Sequence, residues 1–325
     1  MPDVPRQVIA RLALACAAAL FAGSASAWAD GGPHVTGAGI VTDSCASCHR
    51  AHTAQAGELL AQPQTALCYT CHGASATGAN TDVEGGVGYP SAGRAGTAGA
   101  LRGGGFQYAL IDSANSSGRQ GGKSNPGGVV PVRADPAAVT STHSVDSSDQ
   151  TAWGNGPISA TVDYGEVMPL RCGSCHDPHG SGSYRTLRAT PRDSGAGSPG
   201  VTIPDAATKV YTTDNYWQVE DAGAPAFIAN ISAWCATCHT RYLSATSYTG
   251  SGDAVFTSRH RSDQAAQGSA SCIQCHVSHG SNASVSEASS SAVHNPAGRA
   301  GVPAGPGSRL LRIDDRGVCQ MCHGE

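Results

Sequence analysis

The chain has 325 residues, of which 40% are hydrophobic, 5% aromatic and 14% charged, with 42 glycines, 13 cysteines and 13 histidines. So few aromatic residues and so much glycine exclude a large conventional apolar core. A formal net charge of −4 excludes a protein that binds nucleic acid through a strongly basic surface. This composition favours a loop-rich chain whose fold depends on something besides apolar side chains.

The N-terminus has the pattern of a secretory signal peptide. Arg6 and Arg11 precede a short apolar run, and the small residues Ala25-Ser-Ala27 follow it. This pattern predicts export and cleavage that removes residues 1–27, and Cys16 with them. Beyond this segment no apolar run is long enough to span a bilayer, so we expect a mature chain that is not an integral membrane protein.

The twelve remaining cysteines all occur in the pattern Cys-x-x-Cys-His, which appears six times. In chain order the six copies are Cys45, Cys48 and His49; Cys68, Cys71 and His72; Cys172, Cys175 and His176; Cys235, Cys238 and His239; Cys272, Cys275 and His276; and Cys319, Cys322 and His323. This is the attachment pattern for c-type haem. Two thiols on one helical turn reach the two vinyl groups at one porphyrin edge, and the next residue becomes the proximal iron ligand. The sequence therefore predicts six covalently bound haem c groups.

Disulfides and zinc are the two alternative interpretations of paired cysteines. An even number of cysteines in an exported protein favours disulfides, and Cys-x-x-Cys pairs are typical of zinc sites. Neither explains why a histidine directly follows every pair, and zinc would also need a fourth ligand at a repeating offset. We therefore interpret all six motifs as haem sites.

The seven other histidines supply candidates for the second, distal ligand of each iron. Three of them, His52, His179 and His279, follow a proximal histidine by three residues. Residues i and i+3 lie on the same face of a helix, so such a histidine cannot reach the opposite side of its own porphyrin. We predict that each one ligates the iron of a different haem and holds two haems close together.

Three further histidines, His34, His143 and His260, precede alternate motifs and complete a set of six distal ligands. His294 is left over, and we interpret it as an exposed loop residue. Its alternative roles are replacement of one upstream histidine and ligation of a haem in a neighbouring molecule. Met168 is the one methionine placed to ligate an iron, so at most one haem is His/Met. Because methionine ligation raises the reduction potential, the set predicts low potentials.

The motifs group into three copies of one unit. Each has an upstream histidine, a Cys-x-x-Cys-His-x-x-His segment, a leucine pair or near-pair, and a second Cys-x-x-Cys-His. We call residues 28–80 unit 1, residues 139–245 unit 2 and residues 246–325 unit 3. Residues 81–138 form a Gly- and Ser-rich insert, either a flexible linker or a loop packed over haems. Weak strand signals lie at 106–111 and 158–164.

This unit resembles the doubled CXXCH family of multihaem cytochromes c. We expect a mostly irregular, loop-rich fold with short α-helices around the haem motifs, minor β-structure, and haems forming the core. The resemblance implies an electron carrier in the periplasm, at the cell surface or outside the cell. Other redox proteins or extracellular acceptors would be its partners, without nucleic acid, and self-assembly into filaments is a further option.

A multihaem reductase is the alternative function from another class. Such an enzyme needs one iron with an exchangeable site, yet the sequence has no Cys-x-x-Cys-Lys variant, and the mature chain has only Lys123 and Lys209. Seven spare histidines are enough to complete six irons. We therefore expect low-potential, bis-histidine haems that transfer electrons without catalytic residues. A subunit of a polymeric cytochrome wire shares this chemistry and differs only in its contacts.

Overall fold

The computed structural model describes residues 34, 42–74, 79, 81–88, 101, 103–110, 136–152, 166–180, 184–192, 225–242, 272–283 and 310–312. The predicted signal peptide and the strand signal at 158–164 lie outside these ranges. Of the predicted haem-site residues, those outside the described ranges are Cys319, Cys322 and His323 of the sixth motif and the distal candidate His260. The leftover His294 lies outside them as well. The first five motifs are therefore the ones whose surroundings the structure describes.

Every α-helix among the described residues overlaps a Cys-x-x-Cys pair. The helices are α1 (Thr42–Cys48), α2 (Gln64–His72), α3 (Cys172–Cys175), α4 (Pro225–Cys235) and α5 (Cys272–Cys275). In the first, third, fourth and fifth motifs the histidine amide donates to the first cysteine's carbonyl at 2.9–3.1 Å. This turn brings the two thiols onto one helical face. In this part of the chain no helix has the length and apolar character needed to cross a membrane.

The described strands are short and pair in twos. The antiparallel ribbons join β1 (Thr81–Asp82) to β2 (Val87–Gly88), β3 (Tyr108–Ala109) to β4 (Ala137–Ala138), β5 (Ser141–Thr142) to β8 (Gly280–Ser281), and β6 (Asp149–Ala152) to β7 (Glu166–Pro169). The β5–β8 ribbon joins unit 2 to unit 3, with Ser141 opposite Ser281. In the described ranges, the short helices and minor β-structure agree with the predicted loop-rich fold.

Each unit repeats one backbone clamp behind its first motif. The proximal histidine forms an isolated β-bridge with a leucine of the near-pair: His49 with Leu60, His176 with Leu187, and His276 with Leu311. The residue after that leucine donates its amide to the carbonyl of the second cysteine, at 2.9–3.0 Å. The leucine pattern in the sequence is therefore a structural repeat. We call it the leucine clamp, and it comprises residues 58–61 in unit 1, 185–188 in unit 2 and 310–312 in unit 3.

The leucine clamp contains left-handed backbone at residues that are not glycine. The angle φ is +59° at Glu58, +57° at Leu59, +54° at Arg185, +53° at Thr186 and +60° at Leu310. This conformation costs an L-residue roughly 1–2 kcal/mol, and it persists only where the surrounding structure fixes it. Because the strain recurs at the same place in all three units, the clamp holds the chain there against its local preference.

Part of the glycine-rich insert packs against unit 3. A Cβ built on Gly104 would lie 1.8 Å from the carbonyl oxygen of Gly280, and the φ of Gly104 is +69°. The amide of His279 donates to the carbonyl of Gly103 at 2.8 Å. The ring of Phe106 stacks on the imidazole of His279 with centroids 4.6 Å apart. This part of the insert is thus a packed loop, and residue 104 must lack a Cβ.

Few apolar side chains are buried in the described ranges. They are Ala109, Leu110, Val145, Met168, Ile231, Val277 and Ala283. Two arginines are almost completely buried as well, since Arg241 is 2% exposed and Arg312 is 1% exposed. A buried guanidinium is costly without hydrogen-bond acceptors or an anion nearby. The side chains alone therefore make a thin core with buried positive charge inside it.

Candidate haem-binding sites

The five described motifs each present two thiols from one helical turn. All ten of these cysteines are free of disulfide bonds. Burial raises the pKa of the Cys175 thiol to about 12, and the nearby Cys238 thiol adds to the effect. Pairs of free thiols on one face are what attachment through two thioether bonds requires.

Eight of the ten described histidines face one another in four pairs. The ring centroids lie 6.2 Å apart in His34/His72, 6.2 Å in His49/His179, 6.2 Å in His143/His239 and 6.4 Å in His176/His279. Each pair combines one predicted proximal histidine with one predicted distal histidine. The structure thus brings together two sets of residues that are far apart in the sequence.

The separation within each pair fits one six-coordinate iron. Metal–imidazole bonds of about 2 Å place two opposed ring nitrogens about 4 Å apart and the ring centroids about 6 Å apart. Rings in direct contact lie closer, as Phe106 and His279 do at 4.6 Å. The residues present therefore fit haem c, with two thiols at the porphyrin edge and an imidazole on each side of the metal.

Backbone carbonyls lie within hydrogen-bonding distance of Nδ1 in four of these histidines. The contacts are His34 with Pro178 (2.7 Å), His49 with Glu58 (2.9 Å), His143 with Ser278 (2.8 Å) and His176 with Arg185 (2.8 Å). An Nδ1–H that donates to a carbonyl fixes the tautomer and leaves the Nε2 lone pair for a metal. These four imidazoles are oriented as metal ligands usually are.

Two of these carbonyls come from the strained positions of the leucine clamp. Glu58 and Arg185 have positive φ and turn their carbonyl oxygens towards His49 and His176, respectively. The sequence does not reveal these carbonyls, because a backbone acceptor has no side-chain signature. The repeated leucine near-pair was the one signal that could have located them.

Burial keeps several of the paired imidazoles neutral. It lowers the pKa of His72, His143 and His176 below the usual value. Burial, with the neighbouring His176 as the next cause, lowers the pKa of His279 to about 3. Since the neutral imidazole is the form that binds a metal, these side chains are in the binding form at neutral pH.

The four imidazole pairs follow one rule along the chain. The second motif of a unit faces the upstream histidine of the same unit, as His72 faces His34 and His239 faces His143. The first motif of a unit faces the i+3 histidine of the next unit, as His49 faces His179 and His176 faces His279. An i+3 histidine therefore crosses from its own unit to the unit before it.

Thiol–thiol contacts place successive motifs side by side. Within units the neighbouring thiols are Cys48 with Cys71 and Cys175 with Cys238; between units the hydrogen-bonded thiols are Cys68 with Cys172 and Cys235 with Cys272. The second cysteines of one unit are electrostatic neighbours, and first cysteines are hydrogen-bonded between units. The first five motifs therefore follow one another in space in their chain order.

An arginine in each unit donates a hydrogen bond to the backbone carbonyl of the residue that follows the first cysteine. Arg50 donates to Ala46 in unit 1, Arg188 to Gly173 at 2.6 Å in unit 2, and Arg312 to Ile273 at 2.9 Å in unit 3. The arginine follows the motif directly in unit 1 and comes from the leucine clamp in the other two units. These arginines, like Phe106, were not singled out from the sequence.

The remaining described histidines lie at the surface. His52 is exposed, and among the described residues no imidazole faces it. His276 is exposed too, whereas His49, His72, His176 and His239 are partly buried. Met168 is buried in β7, and the imidazole opposite His176 is that of His279.

The sixth predicted site is the one that the structure does not test. Its thiols, Cys319 and Cys322, and its proximal histidine, His323, lie outside the described ranges, as does His260, the distal candidate for unit 3. The haem assignment at these four residues therefore stays a prediction from the sequence motif and from the repeat.

One known protein family matches part of this arrangement. Residues 38–77 match the family model described as the doubled CXXCH motif. The matched segment lies within unit 1 and includes α1, its leucine clamp and α2. The match confirms the resemblance to the doubled CXXCH family of multihaem cytochromes c. No curated protein and no solved structure matches the chain.

Proposed function

We propose that this protein is a hexahaem c-type cytochrome that transfers electrons outside the cytoplasm. Haem c, when bound, supplies one-electron Fe(III)/Fe(II) chemistry. The observation that carries the proposal is the set of four imidazole pairs with centroids 6.2–6.4 Å apart. Each pair leaves room for one metal ion beside a pair of free thiols.

The residues take their roles from this arrangement. The twelve motif cysteines attach the cofactors, and the histidine after each pair is the proximal ligand. His34, His179, His279 and His143 are the distal ligands opposite His72, His49, His176 and His239, respectively. By the rule for second motifs, His260 serves the sixth motif, opposite His323.

A pair of opposed imidazoles at four of the described motifs favours an electron carrier over an enzyme. A reductase must bind its substrate at an open iron position, whereas haem held at these four motifs would have a histidine on each side of its iron. The thiol contacts that set five motifs side by side support transfer from one site to the next. The pairing of histidine with histidine also supports low reduction potentials, because methionine ligation would raise them. Met168 lies in β7, and the imidazole opposite His176 is that of His279.

The place of action is outside the cytoplasm. The doubled CXXCH match in unit 1 implies export, and the signal-peptide pattern before residue 28 supports it. We propose the periplasm or the cell surface, where other redox proteins or extracellular acceptors would be the partners.

Mass spectrometry and spectroscopy of the mature holoprotein test this function. The intact protein should carry six haem additions, and a count of five or fewer would remove the haem assignment from the missing motifs. The absorption and electron paramagnetic resonance spectra should be those of low-spin iron. Carbon monoxide added to the reduced holoprotein should leave the spectrum unchanged, whereas a substantial carbon monoxide complex would favour the reductase.

A further inference from the structure

We propose that Phe106 is a positioning residue for the iron at His176: its ring fixes the plane of the distal ligand His279 and keeps water away from Nδ1 of that imidazole. The Gly-rich insert thereby tunes one haem of unit 2 through a ligand that belongs to unit 3. This inference rests on the proposed function, because it needs haem at the third motif with His176 and His279 on opposite sides of its iron.

Phe106 covers one face of the His279 ring. The two ring centroids lie 4.6 Å apart and the ring planes differ by 26°. Phe106 also contacts Tyr69 of the second motif, where the centroids lie 6.4 Å apart and the planes are tilted by 56°. Offset-stacked and tilted arrangements at these separations are the ones that aromatic rings prefer. Phe106 therefore contacts both the second motif and a ligand of the third with favourable geometry.

The glycine run before Phe106 lies against the edge of the same imidazole. A Cβ built on Gly103 would lie 3.2 Å from Nδ1 of His279 and 2.8 Å from Oγ of Ser278. The Nδ1 atom itself is buried. A residue without a Cβ at position 103 lets the backbone pass this close to the ring. The insert thus covers one face of His279 with Phe106 and one edge with its backbone.

The orientation of His279 has a different origin from that of two other distal ligands. His34 and His143 each have Nδ1 within 2.7–2.8 Å of a backbone carbonyl. Among the described residues Nδ1 of His279 has no hydrogen bond of standard geometry, and its contact with the backbone of Gly104 is a poor one. A metal ligand needs an outer contact that sets the rotation of its ring. At His279 the Phe106 stack supplies that contact.

The two imidazole planes are twisted more strongly at this site than at the other three described pairs. The angle between the planes is 59° for His176 and His279. It is 8°, 25° and 47° in the other pairs. In low-spin Fe(III) haem the angle between the ligand planes determines how the d orbitals split, and hence the g values in electron paramagnetic resonance. A residue that fixes the plane of His279 therefore has a spectroscopic signature.

The backbone that carries Phe106 is held independently of the ring. The amide of Phe106 donates to the carbonyl of Val83 at 3.0 Å, and the amides of Gln107 and Tyr108 both donate to the carbonyl of Glu84 at 3.0 Å. The Gln107 side chain also donates from Nε2 to Oε1 of Glu84 at 2.8 Å. These bonds tie the loop to the turn between β1 and β2. Replacement of the ring should therefore leave the loop backbone in place.

The cover over His279 also affects the reduction potential. Once Nε2 binds the iron, Nδ1–H is the remaining polar group of the imidazole. An acceptor for this N–H makes the imidazole a stronger donor, and a stronger donor stabilises Fe(III) and lowers the potential. Because Phe106 keeps water from the buried Nδ1, it holds the potential of this iron above the value that a water-bonded His279 would give.

Substitutions in the full-length, haem-loaded protein test the proposal. Phe106→Leu and Phe106→Met remove the ring but keep a bulky apolar side chain, so the loop should stay folded. Tyr108→Leu is the matched control, because it removes from the same loop a tyrosine that is 47% exposed. His279→Gly identifies the signal of the iron at His176, because that iron should become high-spin when it loses its distal ligand.

We expect both ring-free variants to retain six haems with every iron low-spin. The electron paramagnetic resonance component that His279→Gly removes should shift and broaden in both of them. In an optical redox titration, one haem in six should move to a lower potential. Phe106→Tyr keeps the ring and should behave like the wild type, and so should Tyr108→Leu.

Two results would overturn the positioning role. One is an unshifted component together with an unchanged redox titration in both Phe106→Leu and Phe106→Met. The other is an equal shift in Tyr108→Leu, which would mean that any change in this loop disturbs the site. A high-spin iron in the ring-free variants, with Phe106→Tyr unaffected, would support the proposal, because the ring would then be needed to hold His279 at the iron.

Failure of the proposed function gives a different result. Fewer than six haems in the wild type, or no high-spin iron in the His279→Gly variant, would mean that the haem or bis-histidine assignment is wrong. Six haems and a response to His279→Gly, combined with no response in either ring-free variant of Phe106, would reject the positioning role alone.

Discussion

Single residues decide which iron each histidine can serve. His179 follows His176 by three residues, yet its ring lies 6.2 Å from that of His49, at an angle of only 8° between the ring planes. Its Nδ1 lies 3.5 Å from Oδ1 of Asp177, and its side chain is 76% exposed. The position of His179 is therefore set by the junction between units, with little packing of the ring itself.

Replacement of His179 by glycine should separate haem attachment at its own motif from ligation of the iron at His49. We expect Cys172 and Cys175 to keep their haem, because attachment needs only the thiols of that motif. The iron at His49 should become high-spin, because it loses the imidazole on its far side. Mass spectrometry of the tryptic haem peptides and electron paramagnetic resonance give the two readouts. An unchanged low-spin spectrum would contradict the pairing of His179 with His49.

At the scale of elements, the leucine clamp positions the proximal histidine through a backbone carbonyl whose residue has a strained, left-handed conformation. The carbonyl of Glu58 reaches His49 Nδ1 at 2.9 Å because φ at Glu58 is +59°. The Glu58 carboxylate lies 3.5 Å from the guanidinium of Arg192, with both side chains more than half exposed. Such an exposed ion pair contributes little to stability. The backbone conformation, and not the side chain, is what the clamp needs from this residue.

Glycine and alanine at position 58 should therefore differ in stability. Both substitutions remove the carboxylate, but only alanine keeps the strain of a Cβ at positive φ. After the larger unfolded-state entropy of glycine is included, we expect Glu58→Gly to be more stable than Glu58→Ala by roughly 0.5–1 kcal/mol. Urea unfolding of the two holoproteins, followed by circular dichroism, measures the difference. Equal midpoints would mean that the clamp relaxes around either residue.

The glycine-rich loop allows a similar paired test. Gly104→Ala places a Cβ 1.8 Å from the Gly280 carbonyl and at positive φ, so the loop must move away from unit 3. We expect this variant to lose about 3 kcal/mol of unfolding free energy. Gly57→Ala is the control, because a Cβ there meets nothing within 4 Å. Urea unfolding should show a clearly lower midpoint for the first variant. For the second, the unfolding free energy should change by less than about 1 kcal/mol.

At the scale of the whole molecule, the haem-attachment sites could be predicted from the sequence, but the pairing of histidines between units could not. The Cys-x-x-Cys-His spacing is local, so the helical turns and the attachment sites follow from it. The sequence also showed that an i+3 histidine cannot serve its own iron. It could not show that His179 goes back to His49, because that depends on how one unit packs against the next.

The insert illustrates the same limit. Its composition allowed either a flexible linker or a packed loop, and the close approach of Gly104 to Gly280 shows packing there. No local pattern predicts that contact, because residue 280 lies in another unit. The β5–β8 ribbon between units 2 and 3 is likewise a product of tertiary packing.

The protein without haem should be largely unfolded. The described α-helices have 4 to 11 residues, and isolated helices shorter than about 12–15 residues are marginal in water. Isolated two-stranded ribbons are marginal as well. In the described ranges the buried apolar side chains are few, so they provide too little burial to offset the entropy of ordering that part of the chain. Covalent haem would supply the missing apolar surface and cross-link the chain to it.

Expression of residues 28–325 in a reducing cytoplasm should give this haem-free protein for comparison with the exported holoprotein. We expect its far-ultraviolet circular dichroism to be that of a disordered chain, with no cooperative thermal transition, while the holoprotein unfolds cooperatively. Dispersed amide resonances in a nitrogen-15 spectrum and a sharp transition would contradict this expectation. They would mean that loops such as the one at Gly104 fold on side-chain contacts alone, and that haem enters a preformed scaffold.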